Sequence, residues 1–577
     1  MKCSDERNIQ ILIEVLKANN INRVIVSPGT TNASFVASLQ DDPFFAIYSA
    51  PEERSAAYMA CGMAAESGKP VVLSCTGATA SRNYMPGLTE AYYRKLPVLA
   101  VTSSRRNAFI GHNMHQVTDR TLIPNDVAKI SVQMPVVLDS VGDWQCTIAA
   151  NKAIQELFRR GGGPVHINIE TLYSNKTVDQ YEKVKVIKRF TYGDVLPQIT
   201  TGKIVIFVGN HLPFTQKLTD AIDRFCDQHN AIVMCDHTSN YHGKYRIFSS
   251  IITIQRVKTE ISQADLMIHI GEVSSVDLSV EIKNVWRVSP DGEMKDTFLK
   301  LENVFEMEEY YFFQQYCSVN TQNNTFFEKC NDAYKNVVNK IPDSLPFSST
   351  WIASETAKKL PSNSVLHLGI RNSLKTWNYF DTPESVTEFS NTGGFGIDGP
   401  ISSLLGAALA SPNKIFYLVV GDLAFFYDIN AFGNRHFPNN IRIILVNNAL
   451  GYEMRGQYTL GHNIALSHDV SEKDYICAAG HYGGNNSTVV KSYVESFGCR
   501  YLRATTKEEY RTILDDIVSV NVSDKPLVVE TIVSDLNEDK AYDILSNILE
   551  DNSLKMKKAV KNIIGERGYN ALKKLVK

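Results

Sequence analysis

The sequence lacks the main features of membrane and nucleic-acid-binding proteins. It has no stretch of about 20 consecutive apolar residues, so no transmembrane helix is expected. Its 59 Lys and Arg residues nearly balance its 62 Asp and Glu residues, and a net charge of −3 argues against a nucleic-acid-binding protein. Residues 1–7 are too polar for a secretory signal.

Cysteine spacing excludes two further classes of site. The ten cysteines are scattered, without the paired spacing that zinc sites and redox centres use. Cys61 and Cys75 lie in apolar segments and are interpreted as small core residues. The sequence is consistent with the reducing cytoplasm, which is the predicted location.

Length and patterning indicate several α/β domains. A chain of 577 residues exceeds one hydrophobic core, and three domains are expected. Apolar runs typical of buried parallel strands alternate with helical patterns, which predicts an α/β fold of three doubly wound parallel-sheet domains. The predicted domains are 1–185, 190–310 and 347–540, with a helical linker over 311–346 and a basic helical tail over 541–577.

The strands of these domains are predicted where short apolar runs occur. Four fall in the first segment, three in the second and four in the third. They span 21–26, 70–74, 96–101, 165–169, 203–208, 231–235, 266–270, 364–368, 414–420, 441–446 and 527–531.

Two predicted strand ends in the third segment present oxygen donors. Gly421-Asp422 follows the run 414–420, and Asn447-Asn448 follows the run 441–446. A carboxylate and an amide carbonyl suit Mg²⁺, which takes its remaining ligands from phosphates and water. The spacing of 26 residues (448 − 422) leaves room for a crossover helix between parallel strands. An ordinary strand-ending turn is the alternative interpretation of each pair.

A second motif lies near the start of the chain. Glu53 precedes a run of small residues, from Ser55 onward, that suits a tightly packed helix. The simplest interpretation is that Glu53 caps this helix, because a carboxylate is stabilised at a helix N-terminus.

Together these motifs resemble those of thiamine diphosphate (ThDP) enzymes of the decarboxylase and acetolactate synthase-like superfamily. Val26-Ser27-Pro28-Gly29-Thr30 and the segment 163–169 agree with that resemblance. It implies that the three α/β units are a pyrimidine domain, a central domain and a diphosphate domain. It also implies a dimer or tetramer whose sites combine halves from different subunits.

The resemblance assigns roles to individual residues. Glu53 would activate the aminopyrimidine ring of the cofactor. Ile397 would hold the cofactor bent, with a core isoleucine as the alternative. Mg²⁺ would be held by Asp422, the Asn448 side chain and the Leu450 carbonyl. The cofactor contacts would further include Gly421, Leu423 and Ala424.

Two longer strings resemble one branch of that superfamily. These are the segments 421–432 and 390–399, which are similar to the menaquinone-pathway 2-succinyl-5-enolpyruvyl-6-hydroxy-3-cyclohexene-1-carboxylate (SEPHCHC) synthases. Those synthases grip the carboxylates of isochorismate and 2-oxoglutarate with arginines. This chain instead has Thr31, Thr392 and Trp377 at the three positions, and none of these can replace a guanidinium fork.

The predicted substrate site therefore differs from that of those synthases. Thr30, Thr31, Arg105 and Ser373 are the predicted substrate contacts, and Gln116 is predicted to act with Glu53 in catalysis. His112, Asn113 and His115 share the loop of Gln116. Cations could come from shifted positions, namely Arg371, Lys375 and Arg455. The donor is expected to be small, with pyruvate first, and the acceptor to be held through hydroxyl groups.

The predicted reaction is decarboxylation of a 2-oxo acid and transfer of the acyl carbanion to an aldehyde or ketone. The expected context is the biosynthesis of surface polysaccharides or of related small molecules. Three alternatives remain open: a simple decarboxylase, a non-catalytic homologue and a flavin-binding acetolactate-type enzyme. The segment 394–399 also matches the dinucleotide fingerprint, but no predicted strand runs directly into it, which argues against a nicotinamide site. The basic tail is interpreted as a capping helix or as a contact with a membrane surface or partner.

Overall fold

A computed structural model describes residues 2–119, 123–200, 202–255, 257–274, 280–317, 324–456, 459–486 and 488–549. The chain forms two compact units, Met1–Leu196 with Asp291–Glu306, and Pro197–Pro290 with Met307–Lys577. Both units contain parallel sheets flanked by helices, which confirms the predicted α/β class. The basic tail prediction lies outside the described residues from position 550 onward.

The first unit is built on a six-stranded parallel sheet. In chain numbering its strand order is 2-1-3-4-6-5. From edge to edge the strands are Ala46–Ser49, Arg23–Val26, Val71–Thr76, Val98–Ser104, Val165–Glu170 and Ser131–Met134. Two short pairs complete the unit: Cys3–Ser4 with Thr177–Val178, antiparallel, and Lys188–Thr191 with Leu301–Glu306, parallel.

Helices cover both faces of this sheet because its strands are apolar on both sides. Val24 and Val72 belong to one apolar cluster, whereas Ile25, Val71 and Leu73 belong to another. Successive strand residues point to opposite faces, so the two clusters are two cores. The helices are Arg7–Ala18, Ala33–Gln40, Glu53–Ser67, Ala78–Asn83, Met85–Tyr93 and Ser140–Glu156.

The second unit contains a central-domain sheet and a diphosphate-domain sheet, both parallel. The central strands, in spatial order, are Arg246–Phe248, Ala231–Cys235, Ile204–Val208, Gln263–Ile270 and Glu281–Val288. Four helices accompany them in sequence, and the last two fall within the predicted linker or at its start. They are Gln216–His229, Ser250–Thr253, Glu309–Tyr316 and Thr325–Val338.

The diphosphate sheet repeats the strand order of the first unit, 2-1-3-4-6-5. Its strands are Thr387–Phe389, Val365–Leu368, Phe416–Gly421, Ile441–Asn447, Leu527–Ile532 and Arg500–Ala504. Its helices are Ser349–Thr356, Asn372–Trp377, Pro400–Ala410, Asp422–Tyr427, Tyr452–Arg455, Leu460–His468, Glu472–Tyr475, Val489–Ser496, Lys507–Val518 and Asp535–Ser546.

Each of the eleven predicted strands overlaps an observed one. All ten cysteines lie in the described part of the chain, and none of them is in a disulfide. A search of the described residues finds no helix long and apolar enough to cross a membrane.

Candidate functional site

Two loops follow neighbouring strands of the diphosphate sheet at its switch point, which is the place where the strand order reverses. The order of its strands reverses between Val365–Leu368 and Phe416–Gly421, which are neighbours. In open α/β sheets, ligands bind in the crevice outside the carboxyl ends of the strands at such a point. Arg371 follows the first of these strands and Asp422 the second.

Asp422 is a buried carboxylate at the start of the helix Asp422–Tyr427, with 8% of its surface exposed. Burial raises its pKa to about 6, opposed by hydrogen bonds from the backbone N–H groups of Leu423 and Ala449. No basic side chain in the described ranges comes within 4.0 Å of it. A buried carboxylate without a cationic partner is suited to a bound metal ion.

The Asn447-Asn448 turn lies directly beside Asp422. Gly421 pairs with Val446 in the parallel ladder, so the next residues, Asp422 and Asn447, lie side by side. The Asn447 side chain is used structurally: its amide donates to Glu530 at 2.7 Å, and its oxygen accepts the Ala449 N–H at 3.0 Å. Asn448 is half-buried, and its oxygen accepts the Leu450 N–H at 3.2 Å, with no other donor to it among the described residues.

These residues fit Mg²⁺ bound together with a diphosphate. The Leu450 carbonyl accepts the Tyr452 N–H at 3.0 Å, and a carbonyl oxygen has a second lone pair for a metal. Within the described ranges no group of three His, Cys, Asp or Glu side chains is placed to hold a metal ion. Asp422, Asn448 and Leu450 would thus supply part of a coordination shell, and phosphate oxygens and water the rest.

Ile397 lines a small cavity at the same switch point. The walls come from the strand ends on both sides and from the start of the helix Pro400–Ala410, and include His367, Gly369, Asn391 and Ala424. A Cβ built on Gly421 would meet no atom within 4 Å, so the space in front of this residue is open. Ile397 therefore lines this cavity, and the space in front of Gly421 is open.

The dinucleotide-like segment begins beyond a short edge strand. That strand, Thr387–Phe389, is separated from Gly394 by four residues, and the helix Pro400–Ala410 follows Gly399. The segment instead places Ile397 in the cavity described above.

A larger cavity of about 490 Å³ opens beside the helix Asn372–Trp377. Arg371 and Lys375 line it, and they also line a neighbouring cavity of about 320 Å³. Ser373 and Trp377, on the same helix, are buried with 6% and 1% of their surfaces exposed. The helix thus turns two cations toward the cavities while two of the residues singled out from the sequence lie in the protein interior.

Arg455, the third candidate cation, already has three acidic partners. Its guanidinium nitrogens lie 2.9 Å from Glu472, 3.4 Å from Asp535 and 3.3 Å from Asp539. Tyr452 also donates to Asp539, at 2.7 Å. These contacts attach the segment after Leu450 to the helix Asp535–Ser546.

In the first unit, Glu53 is the first residue of the helix Glu53–Ser67 rather than the residue before it. The capping interpretation of Glu53 is wrong, because the Glu52 side chain accepts hydrogen bonds from the backbone N–H groups of Arg54 and Ser55. The half-buried Glu53 accepts a hydrogen bond from the Asn83 amide at 3.2 Å. The Glu53 carboxylate therefore does not cap the N-terminus of this helix.

The helix of Glu53 is held by a close crossing. Gly87, in the helix Met85–Tyr93, lies against Ala57, so that a Cβ built on Gly87 would come within 2.5 Å of the Ala57 Cβ. The Cys61 thiol donates to the Gly87 carbonyl at 3.1 Å. These contacts require glycine at position 87 and fix the helix that begins at Glu53.

Arg105 and Gln116 lie at two ends of an exposed loop that follows the strand Val98–Ser104. The Arg105 guanidinium donates to the Tyr173 hydroxyl at 3.0 Å and lies 3.0 Å from His115 Nε2. Gln116 is exposed and has φ +58°, a left-handed backbone conformation. His112 and Asn113 are exposed in the same loop.

Thr31 and Thr392 stand where the SEPHCHC synthases have arginines, and both form hydrogen bonds within the protein. The Thr31 hydroxyl donates to the Ser103 carbonyl at 2.8 Å, and the neighbouring Thr30 is exposed in a turn. The Thr392 hydroxyl accepts from the Asn210 amide at 2.8 Å.

Sequence reasoning missed several residues that complete these arrangements. Asn83 is 30 residues from Glu53, and Glu530 is 83 residues from Asn447, so no local pattern connects either pair. The capping role of Glu52 could have been predicted from the sequence. Ser55 lies three residues later, and both its N–H and its hydroxyl donate to the Glu52 carboxylate.

Comparison with known proteins agrees with this geometry. Residues 8–123 match the N-terminal TPP-binding domain of thiamine pyrophosphate enzymes, and residues 372–531 match their C-terminal TPP-binding domain. The chain is 28% identical to the SEPHCHC synthase of Bacteroides thetaiotaomicron, covering 93% of this chain and 97% of the relative. It is 27% identical to that of Phocaeicola vulgatus, covering 91% and 95%. The SEPHCHC synthase of Flavobacterium psychrophilum is 26% identical, covering 90% and 97%.

The matched segments contain the two motifs on which the resemblance was based. Glu53 lies in the first and Asp422 with Asn448 in the second. The predicted relationship to ThDP enzymes and to the SEPHCHC synthases is confirmed. The chain therefore carries the N- and C-terminal TPP-binding domains of thiamine pyrophosphate enzymes, and its cofactor is ThDP.

Proposed function

We propose that the protein is a Mg²⁺- and ThDP-dependent carboligase, which decarboxylates a 2-oxo acid and joins the remaining acyl group to an aldehyde or ketone. The observation that carries this proposal is the position of the buried Asp422 carboxylate beside the Asn448 turn. It provides a negative charge and two neutral oxygens at the switch point of the diphosphate sheet.

The residues of the chain would divide the work as follows. Asp422, the Asn448 amide oxygen and the Leu450 carbonyl would hold Mg²⁺, whose charge would favour binding of a diphosphate. ThDP supplies a nucleophilic carbon and an electron sink for the decarboxylation. Glu53 would accept a hydrogen bond from the cofactor's aminopyrimidine ring. This contact would favour loss of the proton from the carbon of ThDP that becomes the nucleophile. Arg105 and Gln116 orient the carboxylate of the donor.

The atoms balance without a further oxidant. The 2-oxo acid loses CO₂ when its bond between the carboxylate and the ketone carbon breaks, and the electron pair remains on that carbon. This carbon forms a bond to the carbonyl carbon of the acceptor, whose oxygen takes a proton. A simple decarboxylase would protonate the same carbon and release an aldehyde.

We infer that the enzyme acts as a homo-oligomer in the cytoplasm, with Glu53 of one subunit and Asp422 of another in each site. Variants E53Q and D422A should each be inactive. After the two are unfolded together and refolded, mixed dimers contain one site with both residues intact. About a quarter of the parent activity should then return for random pairing of a dimer. A mixture that stays inactive although it forms dimers would contradict shared sites.

The reaction is tested by measuring CO₂ release from a panel of 2-oxo acids with ThDP and Mg²⁺, followed by mass analysis of the products with and without keto-sugars. We expect CO₂ release together with an acceptor-dependent product whose mass is that of the acceptor plus the 2-oxo acid less CO₂. An aldehyde as the product under both conditions would show a simple decarboxylase. Absence of CO₂ release from every 2-oxo acid would contradict the proposal.

A further inference from the structure

Arg371 has an unusual backbone conformation at the switch point. Its φ is +67° and its ψ −121°, a region that residues with a Cβ rarely adopt. Glycine would adopt it without strain. Because the backbone bears this cost for an arginine, the side chain is expected to have a function.

Lys375 places a second positive charge on the same side. Its backbone N–H donates to the Arg371 carbonyl at 2.8 Å, which places Lys375 one turn into the helix that follows Arg371. Both residues line the same two cavities. The Lys375 ammonium lies 4.5 Å from the centre of the Tyr542 ring, and the described residues place no carboxylate within 4.0 Å of it.

The acidic residues of the larger cavity only partly offset these charges. Glu453 lies 3.6 Å from the Arg371 guanidinium. Burial raises the pKa of Glu538, which favours its neutral form, although hydrogen bonds from Ser349 and Asn372 oppose this. The carboxyl groups of the lining are thus engaged by Arg371 and by Ser349, whereas Lys375 has no carboxylate within 4.0 Å among the described residues. Hydroxyl-bearing side chains supply much of the remaining lining of the cavity, namely Thr350, Thr376, Tyr379, Tyr452, Thr459 and Tyr542.

The cations lie at the edge of the expected cofactor site. The Arg371 guanidinium lies 5.2 Å from the centre of the Phe395 ring, and Phe395 is two residues before Ile397. Its partner Glu453 is three residues after Leu450. A ligand held by Arg371 would therefore lie next to both segments that are assigned to the cofactor.

Resting on the proposed function, we propose that Arg371 and Lys375 bind the anionic group, a carboxylate or a phosphate, of a polyhydroxylated acceptor in the larger cavity. Guanidinium and ammonium groups pair with such oxyanions, and the tyrosine and threonine hydroxyls suit the hydroxyl groups of the acceptor. This differs from the expectation from sequence that hydroxyl contacts alone hold the acceptor. It does not concern the donor, whose carboxylate leaves as CO₂.

Binding is measured by calorimetry on the full chain with ThDP and Mg²⁺ present. The probes are D-gluconate, glucose 6-phosphate and sorbitol, which carry a carboxylate, a phosphate and no charge on similar polyhydroxylated frames. At least one anion should bind about tenfold more tightly than sorbitol, equivalent to about 1.4 kcal/mol. The stronger of the two anions identifies whether the natural group is a carboxylate or a phosphate.

Variants then test the two side chains. Lys375→Met and Arg371→Gly should each weaken binding of the anion at least about tenfold. Arg371→Gly should also raise the melting temperature of the protein without probe, because the strained conformation suits glycine. Lys414→Met removes an exposed lysine just before the strand Phe416–Gly421, at the opposite end from the site, and should change neither affinity nor melting temperature.

Three results would overturn the proposal: no tighter binding of either anion than of sorbitol, equal affinities in the parent and the two variants, or anion binding that is measured without ThDP and lost when ThDP and Mg²⁺ are present. The last would assign the cations to the cofactor's own diphosphate. Stabilisation of the protein by ThDP is recorded in parallel. If that stabilisation is absent, the proposed function fails, and the anion measurement still reports on Arg371 and Lys375 independently.

Discussion

Glu52 caps the helix Glu53–Ser67, and Glu53, the next residue, accepts a hydrogen bond from Asn83 instead. Two adjacent carboxylates at one helix start thus have different partners. This separation allows the catalytic role of Glu53 to be tested apart from the stability of its helix.

Glu53→Gln should leave the fold and the binding of ThDP intact but slow hydrogen exchange at C2 of the bound cofactor by about 100-fold or more. The reason is that an amide cannot accept a proton as a carboxylate does. The exchange rate is measured by quenched-flow mass spectrometry or NMR. A rate equal to that of the parent would remove Glu53 from the mechanism.

The matched control is Glu52→Gln. This change weakens the hydrogen bonds to the Arg54 and Ser55 backbone and should lower the melting temperature slightly, because a charged acceptor is favoured at a helix N-terminus. The exchange rate should stay that of the parent. The pair of variants therefore separates helix capping from cofactor activation.

Asp422→Ala should abolish the thermal stabilisation that ThDP and Mg²⁺ give together, because the buried carboxylate is the only charged ligand proposed for the metal. Melting curves with and without ThDP and Mg²⁺ measure this. Asp428→Asn is the control, since Asp428 accepts hydrogen bonds from the Ser402 backbone and hydroxyl. It should lower the melting temperature and keep the increment due to ThDP. An unchanged increment in Asp422→Ala would refute the metal assignment.

The sequence predicted the inner strands of the two six-stranded sheets and missed all four of their edge strands. Inner strands are covered on both faces and appear as continuous apolar runs, as in 441–446. Edge strands such as Ala46–Ser49 and Thr387–Phe389 are short and partly exposed, and therefore give no such run.

The candidate site was also predictable only in part: the residues at the ends of inner strands could be predicted, and the orientation of a nearby helix could not. Asp422 and Asn448 follow inner strands, so their proximity could be expected from the sequence. The orientation of the helix Asn372–Trp377 could not, because it depends on which of its residues the surrounding structure buries. Ser373 was predicted as a substrate contact and is buried, whereas Arg371 and Lys375, named from the sequence only as cations at shifted positions, line the cavities.

Pyruvate should be a better donor than 2-oxoglutarate, and isochorismate a poor acceptor. Each arginine missing at Thr31, Thr392 and Trp377 would deprive a buried carboxylate of a charged partner, which costs about 2–5 kcal/mol. With 1.4 kcal/mol for each factor of ten, kcat/KM for 2-oxoglutarate should be at least about 30-fold lower than for pyruvate. Product analysis with 2-oxoglutarate and isochorismate measures this, and efficient formation of SEPHCHC would show that the substitutions were misinterpreted.

His367 should make the protein less stable in acid. Burial lowers its pKa from 6.5 to about 4, so the unfolded chain binds a proton more readily between these values. The free energy of unfolding should therefore fall by about 3 kcal/mol as the pH drops from 6.5 to 4, with no contribution from this group above pH 6.5. Urea unfolding at several pH values measures the slope.

The comparison variant is His367→Phe, whose ring suits the neighbouring Phe389 and Phe416. It should be about 3 kcal/mol less sensitive to pH than the parent over that interval. Equal slopes in the two proteins would mean that His367 does not titrate as its burial implies.

Gly87→Ala should destabilise the first unit by about 1–3 kcal/mol, because the added Cβ would lie 2.5 Å from the Ala57 Cβ and 2.9 Å from its carbonyl carbon. Gly62→Ala is the same change within the helix Glu53–Ser67, where a Cβ meets no atom within 4 Å. It should stabilise that helix by up to about 1 kcal/mol. Chemical unfolding of both variants checks the two opposite signs.

The helix Asp535–Ser546 has a consequence for where this protein can be shortened. Arg455 pairs with Asp535 and Asp539, while Glu538 and Tyr542 line the larger cavity. The final strand of the diphosphate sheet already ends at Ile532, yet the helix beyond it forms one wall of the binding region. A fragment cut before this helix would keep every strand of that sheet and lose part of its ligand pocket, so a functional fragment must extend past Ser546.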